Sequence, residues 1–544
     1  MPLKQIIIQN FKSLRNLKIQ FNNGLNILVG DNEAGKSTIL EAIHLALTGI
    51  YCGRNIKGEI SQYLFNNEVV EECLKSLKSK NPCEPPRIVI EVYFEGSIDP
   101  VFEGDNFSDK TMQQPMEGFR FSIVFSEQFK EEYEILIKNN EIHSLPTEYY
   151  VVSWEHFGRS NITTRQIPIK SVIIDSSNYR YQNGSDVYIS RIVKDLLNQD
   201  DIIAISQAHH RLVEGFAKDE AIVNINKKIN EESTIVSGDV ALSADQGNKS
   251  AWENSLVTQI SGVPFAYVGK GAQCIVKTEL ALSHQKAKKA EIILLEEPES
   301  HLSFSRLNEL ISMIGKKYEE KQIVISTHSS FVANKLGLSN LILLKPGNSV
   351  RITELESADF FKKIAGYDTL RLILCKKAIL VEGASDELVV QRAYMDNHNG
   401  KLPIEDGIDV ISVGLSFLRF LEIAKKLNVP TCVLTDNDGD VDALKMKYTN
   451  YIGIDDNIKI CFDDCIDGTT ELDREKFNYN TLEPKLLKEN SLELFNSIFK
   501  TNYKTNSELR KYMKNNKTEC ALAIFNSETN INYPEYILRA IKDE

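Results

Sequence analysis

The chain opens with two short segments in which apolar and polar residues alternate. Leu3–Ile8 and Asn16–Phe21 read as strands joined by a turn around Asn10–Arg15, because successive side chains of a strand point to opposite faces. Asn23-Gly24 marks a second turn, and Leu25–Val29 is an unbroken apolar run suited to a strand buried on both faces. The period then changes. Ile39, Leu40, Ile43 and Leu47 fall at helical spacing, which predicts a helix from Ser37 to Leu47 closed by Thr48-Gly49, with Gly30–Lys36 as the loop before it. From about 51 to 160 the pattern is mixed, with strand candidates at Ile88–Phe94, Phe119–Phe125 and Glu134–Ile137. Residues 188–232 have helical spacing and many polar positions, and read as an inserted helical element. Helix resumes at Trp252–Ile260, and strands follow at Ile292–Leu295 and Ile323–Ser326. Beyond a break at Lys345-Pro346-Gly347, the apolar runs Ala378–Val381, Asp409–Val413 and Thr431–Thr435 alternate with helical stretches. That βαβ pattern implies a parallel sheet. The chain has no internal repeat and no long heptad region.

At 544 residues the chain has room for about three or four domain-sized units. Hydrophobic content of 42% and charged content of 26% are those of an ordinary soluble globular protein. No apolar run is long enough to span a bilayer, and the N-terminus lacks the apolar block of a signal peptide, so a cytoplasmic protein with no membrane partner is expected. The nine cysteines include no Cys-x-x-Cys pair and are odd in number. They are expected to be free thiols in a reducing compartment rather than a disulfide framework or a zinc site. A net charge of −13 argues against non-specific coating of phosphates, although a local basic groove can outweigh the total.

Two stretches carry phosphate chemistry. Gly30-Asp31-Asn32-Glu33-Ala34-Gly35-Lys36-Ser37 satisfies G-x-x-x-x-G-K-[ST] between a strand and a helix. Its glycines allow a tight loop, and its backbone N–H groups and the helix N-terminus surround phosphates. Gly30, Asn32, Gly35, Lys36, Ser37 and Thr38 are the expected ATP contacts, with Lys36 on the terminal phosphates and the Ser37 hydroxyl on Mg²⁺. Ile292–Leu295 then delivers Glu296 and Glu297 to a strand end, where ligands sit in open α/β sheets. Glu296 is expected to serve the metal through water and Glu297 to orient or deprotonate the attacking water. His328, at the end of the Ile323–Ser326 run, is the candidate γ-phosphate sensor.

This order of motifs resembles the ABC-type ATPase heads of the RecF/SMC class. In such heads a signature loop from a second protomer closes over the nucleotide. The best match is Gly269-Lys270-Gly271-Ala272-Gln273, which lacks the usual Leu-Ser start, and Gln62 is the candidate loop glutamine.

The last third adds a second centre. Ala378–Val381 ends in Glu382-Gly383, with Asp386 four residues beyond Glu382, and Thr431–Thr435 ends in Asp436-Asn437-Asp438. Parallel strands bringing Glu382, Asp436 and Asp438 to one sheet edge form a hard oxygen cluster suited to Mg²⁺ or Mn²⁺. The i, i+2 spacing is read as placing both aspartates on that edge. The combination resembles the Toprim domain, and a head followed by Toprim resembles the OLD (overcoming lysogenization defect) family of nucleases. The resemblance implies a further metal-binding carboxylate, matched by Glu483, and a C-terminal lysine, for which Lys517 is the choice and Lys514 the alternative. It also implies two-metal DNA cleavage with Glu382, Asp436, Asp438 and Lys517 as catalytic groups and Asp386 and Glu483 as further ligands. The expected architecture is α/β. An ABC-type head (1–185 and 241–345) is interrupted by a helical insertion (186–240) serving dimerisation, and is followed by a Rossmann-like Toprim domain (346–544). The implied function is ATP-regulated DNA endonuclease or nickase in anti-phage defence, as a homo-oligomer of at least two chains, in some relatives with a separate partner protein. The alternative is a non-catalytic RecF/SMC-like DNA repair or DNA-organising ATPase.

Overall fold

The computed structural model describes residues 2–77, 83–96, 99–108, 115–139, 142–175, 181–182, 185–186, 197–232, 240, 242, 259–283, 290–317, 321–345, 347–352, 355–364, 367–454, 456–472 and 475–542. The chain divides into two compact units, Met1–Thr327 with Leu344–Ser349, and His328–Leu343 with Val350–Glu544.

The first unit contains an antiparallel and a parallel sheet. Strands β1 (Leu3–Phe11), β2 (Leu14–Gln20), β4 (Ile88–Phe94), β5 (Met116–Phe125) and β6 (Tyr150–His156) form the antiparallel sheet, in the order β2-β1-β4-β5-β6. Their registers align Leu17, Ile8, Ile90, Phe121 and Trp154 in one row across five strands. All five are buried, which is why period-two alternation in separate segments adds up to one apolar face. The row ends on helix α1 (Lys36–Thr48), where Trp154 Nε1 donates to Ala46 O at 2.8 Å.

Strands β3 (Leu25–Val29), β7 (Ser171–Asp175), β8 (Ile292–Glu296) and β9 (Gln322–Ser326) run parallel in the order β7-β8-β9-β3. The apolar residues of β8 are all buried, as expected of strands covered on both faces. Parallel order brings the C-terminal ends of β3, β8 and β9 to the same edge, the edge at which open α/β sheets bind ligands.

The polar stretch after residue 188 is, within the described residues, two helices, α2 (Gln199–Lys218) and α3 (Glu220–Glu232). Asn198 and Asp201 cap α2 reciprocally, and the Asp219 carboxylate accepts from Ala221 N to start α3. Helix α4 (Lys270–Ser283) precedes β8. Two expectations are corrected. Glu134–Ile137 lies in a helix, Lys130–Lys138, with Glu131 and Glu132 in the first turn and Lys138 in the last, the charge order a helix dipole favours. Residues 252–258 of the expected Trp252–Ile260 helix lie outside the described residues. Gln259–Ile260 instead pairs with Val263–Pro264 as a tight hairpin, with Ser261 and Gly262 both at positive φ. At the expected break, Lys345 ends one strand, Leu341–Lys345, and Gly347 directly precedes the next, Asn348–Arg351.

The second unit is built on four parallel strands, β10 (Lys377–Val381), β11 (Ile408–Ser412), β12 (Thr431–Leu434) and β13 (Ile458–Cys461), in the order β11-β10-β12-β13. Helices α5 (Ala384–Asn397), α6 (Phe417–Leu427) and α7 (Val441–Lys447) connect them. Helices α8 (Leu482–Glu489), α9 (Lys517–Phe525) and α10 (Glu535–Ile541) follow. Ile379 and Val381 of β10, Cys432 and Leu434 of β12, Leu486 of α8, Ile524 of α9 and Ile537 of α10 share one core. That core fixes α8 and α9 against the sheet that ends in the acidic residues. Among the described residues, no helix is long and apolar enough to cross a membrane.

Candidate functional site

The nucleotide loop in the first unit follows β3 directly. Gly30 is tightly packed: a Cβ there would lie 3.0 Å from both Ala34 Cβ and Leu344 O, so its neighbours would have to shift to admit one. Gly35 has φ +87°, and a Cβ would lie 2.7 Å from a Leu14 methyl, so the turn into α1 needs glycine on both counts. Lys36 is buried, and its Nζ donates to Gly30 O and Asp31 O at 2.9 Å each. Burial lowers the Lys36 pKa, with Glu297, Asp31 and Glu299 acting against that shift. Glu297 of the acidic strand end therefore lies within electrostatic reach of the loop lysine. Ser37 is exposed and Thr38 buried.

Glu296 closes β8, and Glu297 follows at φ +39°, held by its N–H to Ser326 O at 3.0 Å. Its carboxylate accepts from Ser300 Oγ at 3.2 Å, and Thr327 Oγ1 donates to Glu299 at 2.6 Å. A carboxylate held in a left-handed turn beside two parallel strand ends is set in direction before any ligand arrives. His328 directly follows Thr327 in sequence and opens the second unit. The glutamine candidate Gln62 accepts from Leu145 N at 3.2 Å. In the signature candidate, Gln273 turns inward, its Nε2 donating to Phe265 O and Val268 O, while Gly269, Lys270 and Ala272 are exposed at the start of α4.

The acidic residues of the second unit converge. Glu382 directly follows β10 and is exposed, and its carbonyl accepts from Gly414 N at 3.0 Å and Ser412 Oγ at 3.2 Å. Asp386, in the first turn of α5, accepts from Gly383 N at 3.0 Å. Burial raises the Asp386 pKa to about 6, with Glu483 and Glu382 adding to the rise and Gly383 and Lys517 opposing it. Asp436 is raised well above the ordinary carboxylate range, first by burial and then by Asp386, Glu483, Asp438 and Glu382. Its Oδ2 accepts from Leu482 N, at the start of α8, at 3.3 Å. Lys517 Nζ lies 3.3 Å from Glu483 Oε1. Burial works against the Lys517 charge, but Glu483, Asp436 and Asp386 outweigh it and raise its pKa. Lys514 instead stands over the Phe477 ring, 5.6 Å from its centroid.

The expected strand alternation does not account for Asp438. Strand β12 ends at Leu434, two residues before Asp436, so a period of two has no strand to act on. Asp438 is exposed at φ +50°, and its Oδ1 accepts from Asn478 Nδ2 at 3.1 Å. It reaches Asp436 electrostatically rather than by lying beside it on a strand face.

Several groups that hold the cluster were not apparent from sequence. Asn437 donates to Asp463 O at 2.5 Å and Cys465 O at 2.9 Å, tying the Asp-x-Asp loop to residues 463–467. Buried Lys485, two residues after Glu483, reaches Asp463 at 2.5 Å and Asp467 at 2.7 Å. Asn480 accepts from Asp467 N at 2.7 Å. The loop 463–467 thus anchors both carboxylate-bearing segments. Among the described residues no three Asp, Glu, His or Cys side chains already stand at metal-ligand spacing. The donor set nevertheless suits a hard divalent cation: it is all oxygen, and its buried members repel one another, a penalty a cation would relieve.

A family model described as "AAA domain" matches residues 5–368, and one described as "Overcoming lysogenization defect protein-like, TOPRIM domain" matches residues 373–438. Curated relatives match over short stretches. The DNA replication and repair protein RecF of Vibrio parahaemolyticus is 38% identical over 71 residues, 13% of this chain and 19% of that protein. The DNA double-strand break repair Rad50 ATPase of Archaeoglobus fulgidus is 50% identical over 48 residues, 9% of this chain and 5% of that protein. The chain thus spans about a fifth or less of the length of these two relatives. Among solved structures, the SMC head domain from Thermotoga maritima is 15% identical with a TM-score of 0.29, covering 65% of this chain and 99% of that one. The recombination mediator RecF with ATP is 14% identical with a TM-score of 0.32, covering 64% and 99%. The chain therefore belongs to the AAA-type ATPase family through its first two thirds, and a Toprim domain of the overcoming lysogenization defect-like type follows at residues 373–438.

Proposed function

We propose that this protein is an ATP-regulated, divalent-metal-dependent nuclease that cuts DNA. The observation that carries the reading is the convergence of Asp386, Asp436, Glu483 and Glu382 with Lys517 at one edge of a parallel sheet. Glu382 and Asp436, with Asp438, would hold one Mg²⁺ or Mn²⁺, and Asp386 and Glu483 a second. Bound there, such ions supply a nucleophilic hydroxide near neutral pH and neutralise the leaving oxygen. The chain's own groups orient the reaction. Lys517 is placed to meet charge developing on the phosphorus oxygens, and Leu482 N–H fixes the Asp436 carboxylate. In the first unit, Gly30, Asn32, Gly35, Lys36, Ser37 and Thr38 bind ATP, with Glu296 and Glu297 on the hydrolytic side. A homo-oligomer of at least two chains, formed through the ATPase heads, completes this reading. The resemblance to OLD-type nucleases supports a role in anti-phage defence.

The test is relaxation of supercoiled plasmid with Mn²⁺ or Mg²⁺, with and without ATP. Wild type should nick and Glu382→Ala should not. Equal cleavage by both, or by neither, removes the nuclease reading and leaves an ATP-driven DNA-organising protein.

A further inference from the structure

We infer that Cys432 and Cys461 form an oxidisable dithiol, a modification site where hydrogen peroxide converts the pair into a reversible intramolecular disulfide. The two Sγ atoms lie 3.2 Å apart, on the neighbouring parallel strands β12 and β13, with both side chains in the same core. The register pairs Cys432 with Lys459 and Leu434 with Cys461, so the thiols meet diagonally.

Oxidant has a route. Cys461 lines a cavity of about 630 Å³ that is also lined by Lys445, Lys459, Arg539 and Lys542 and by two carboxylates, Asp464 beside Lys445 and Arg539 and Glu535 beside Lys542. The four cations outnumber the two carboxylates of that lining, and a net positive surrounding favours thiolate over thiol. The pair is also polarised. Cys461 is held below the usual thiol value, first by its hydrogen bond with Cys432 and then, against burial, by Arg539, Lys459 and Lys377. Cys432 is pushed up by the same hydrogen bond and by burial. The attacking sulfur is Cys461 and the resolving sulfur Cys432.

In the first step the Cys461 thiolate attacks one peroxide oxygen. The O–O bond breaks, Cys461 becomes a sulfenic acid, and the other oxygen leaves as water after taking a proton. In the second step the Cys432 thiol attacks that sulfur, the S–O bond breaks, the S–S bond forms and a second water leaves. The two thiols lose two electrons and the peroxide gains them. The inference does not depend on what the acidic cluster does.

The test treats the full chain with hydrogen peroxide, alkylates remaining thiols and maps peptides by mass spectrometry. Two of the nine thiols should escape alkylation, a linked peptide should join Cys432 to Cys461, and dithiothreitol should restore both. In Cys432→Ser, or Cys432→Ala should that variant fold poorly, Cys461 should stop at a sulfenic acid trapped by dimedone. Retention of all nine thiols, or a link confined to Cys73 and Cys83, overturns the proposal. So does an unchanged result in Cys461→Ser.

Discussion

Replacing Lys485 with methionine keeps the length of the side chain and removes its charge, which isolates the ionic anchor of α8. Lys485 is only 3% exposed, and its ammonium meets Asp463 at 2.5 Å, Asp467 at 2.7 Å and Cys465 O at 2.9 Å. Breaking a buried pair by removing one partner costs about 3–5 kcal/mol. Asp463 and Asp467 are about a quarter exposed and partly recover hydration, and Asp467 keeps Lys488 at 2.7 Å. The lower end, about 3 kcal/mol, is expected, which for a unit of this size lowers the melting temperature by roughly 6–12 °C. The pH dependence follows from the partners. Burial opposes ionisation of Asp463 and Asp467, but Lys485 outweighs it and holds both below the usual carboxylate value. Their contribution is therefore full above the unfolded-state carboxylate range, near pH ~4, and disappears as pH falls through the lowered values. Thermal unfolding of wild type and Lys485→Met, followed by circular dichroism from neutral to acid pH, should show a gap that closes in acid. A gap below about 1 kcal/mol at neutral pH, or one that stays constant into acid, would refute the ionic-anchor argument.

Three further outcomes are expected. Lys36→Ala should weaken ATP binding by about 1.5–3 kcal/mol, roughly 10- to 150-fold, in a fluorescent-nucleotide titration, and unchanged affinity would remove Lys36 from the phosphate site. Glu483→Gln should lower Mn²⁺ affinity by at least ~10-fold in calorimetry without unfolding the chain, and equal affinity would place the ion elsewhere. Burial lowers His44 to about 4, so the folded state keeps its ring neutral while the unfolded chain takes a proton near ~6.5. Stability of the first unit should be whole above that value and decline as pH falls toward 4, with a slope of about one proton that His44→Gln abolishes.

Much of this architecture is legible because buried parallel strands leave a plain mark. Ile292–Leu295, Ala378–Val381 and Thr431–Leu434 are apolar runs, and a carboxylate follows each one at or just past the strand end. The residues that hold those carboxylates leave no such mark. Asp463, Asp467, Asn480 and Lys485 look individually like solvated loop and helix surface, and only the packing of α8 beside β13's following loop makes them one network. Asn437 reads as turn composition, although its amide is what fastens the turn. The helix at Lys130–Lys138 shows the limit of short windows. Four residues, Glu134–Ile137, suit either period, and the deciding signals, Glu131, Glu132 and Lys138, lie outside them.

The bond from Leu482 N to Asp436, and the pairing of Lys517 with Glu483, join early and late parts of the C-terminal unit. A growing polypeptide exposes β10 and β12 well before Glu483 and Lys517 have been synthesised. The acidic centre is thus completed only once Lys517 has been synthesised, and a chain stalled before Leu482 carries Glu382, Asp386 and Asp436 without the backbone and lysine groups that hold them.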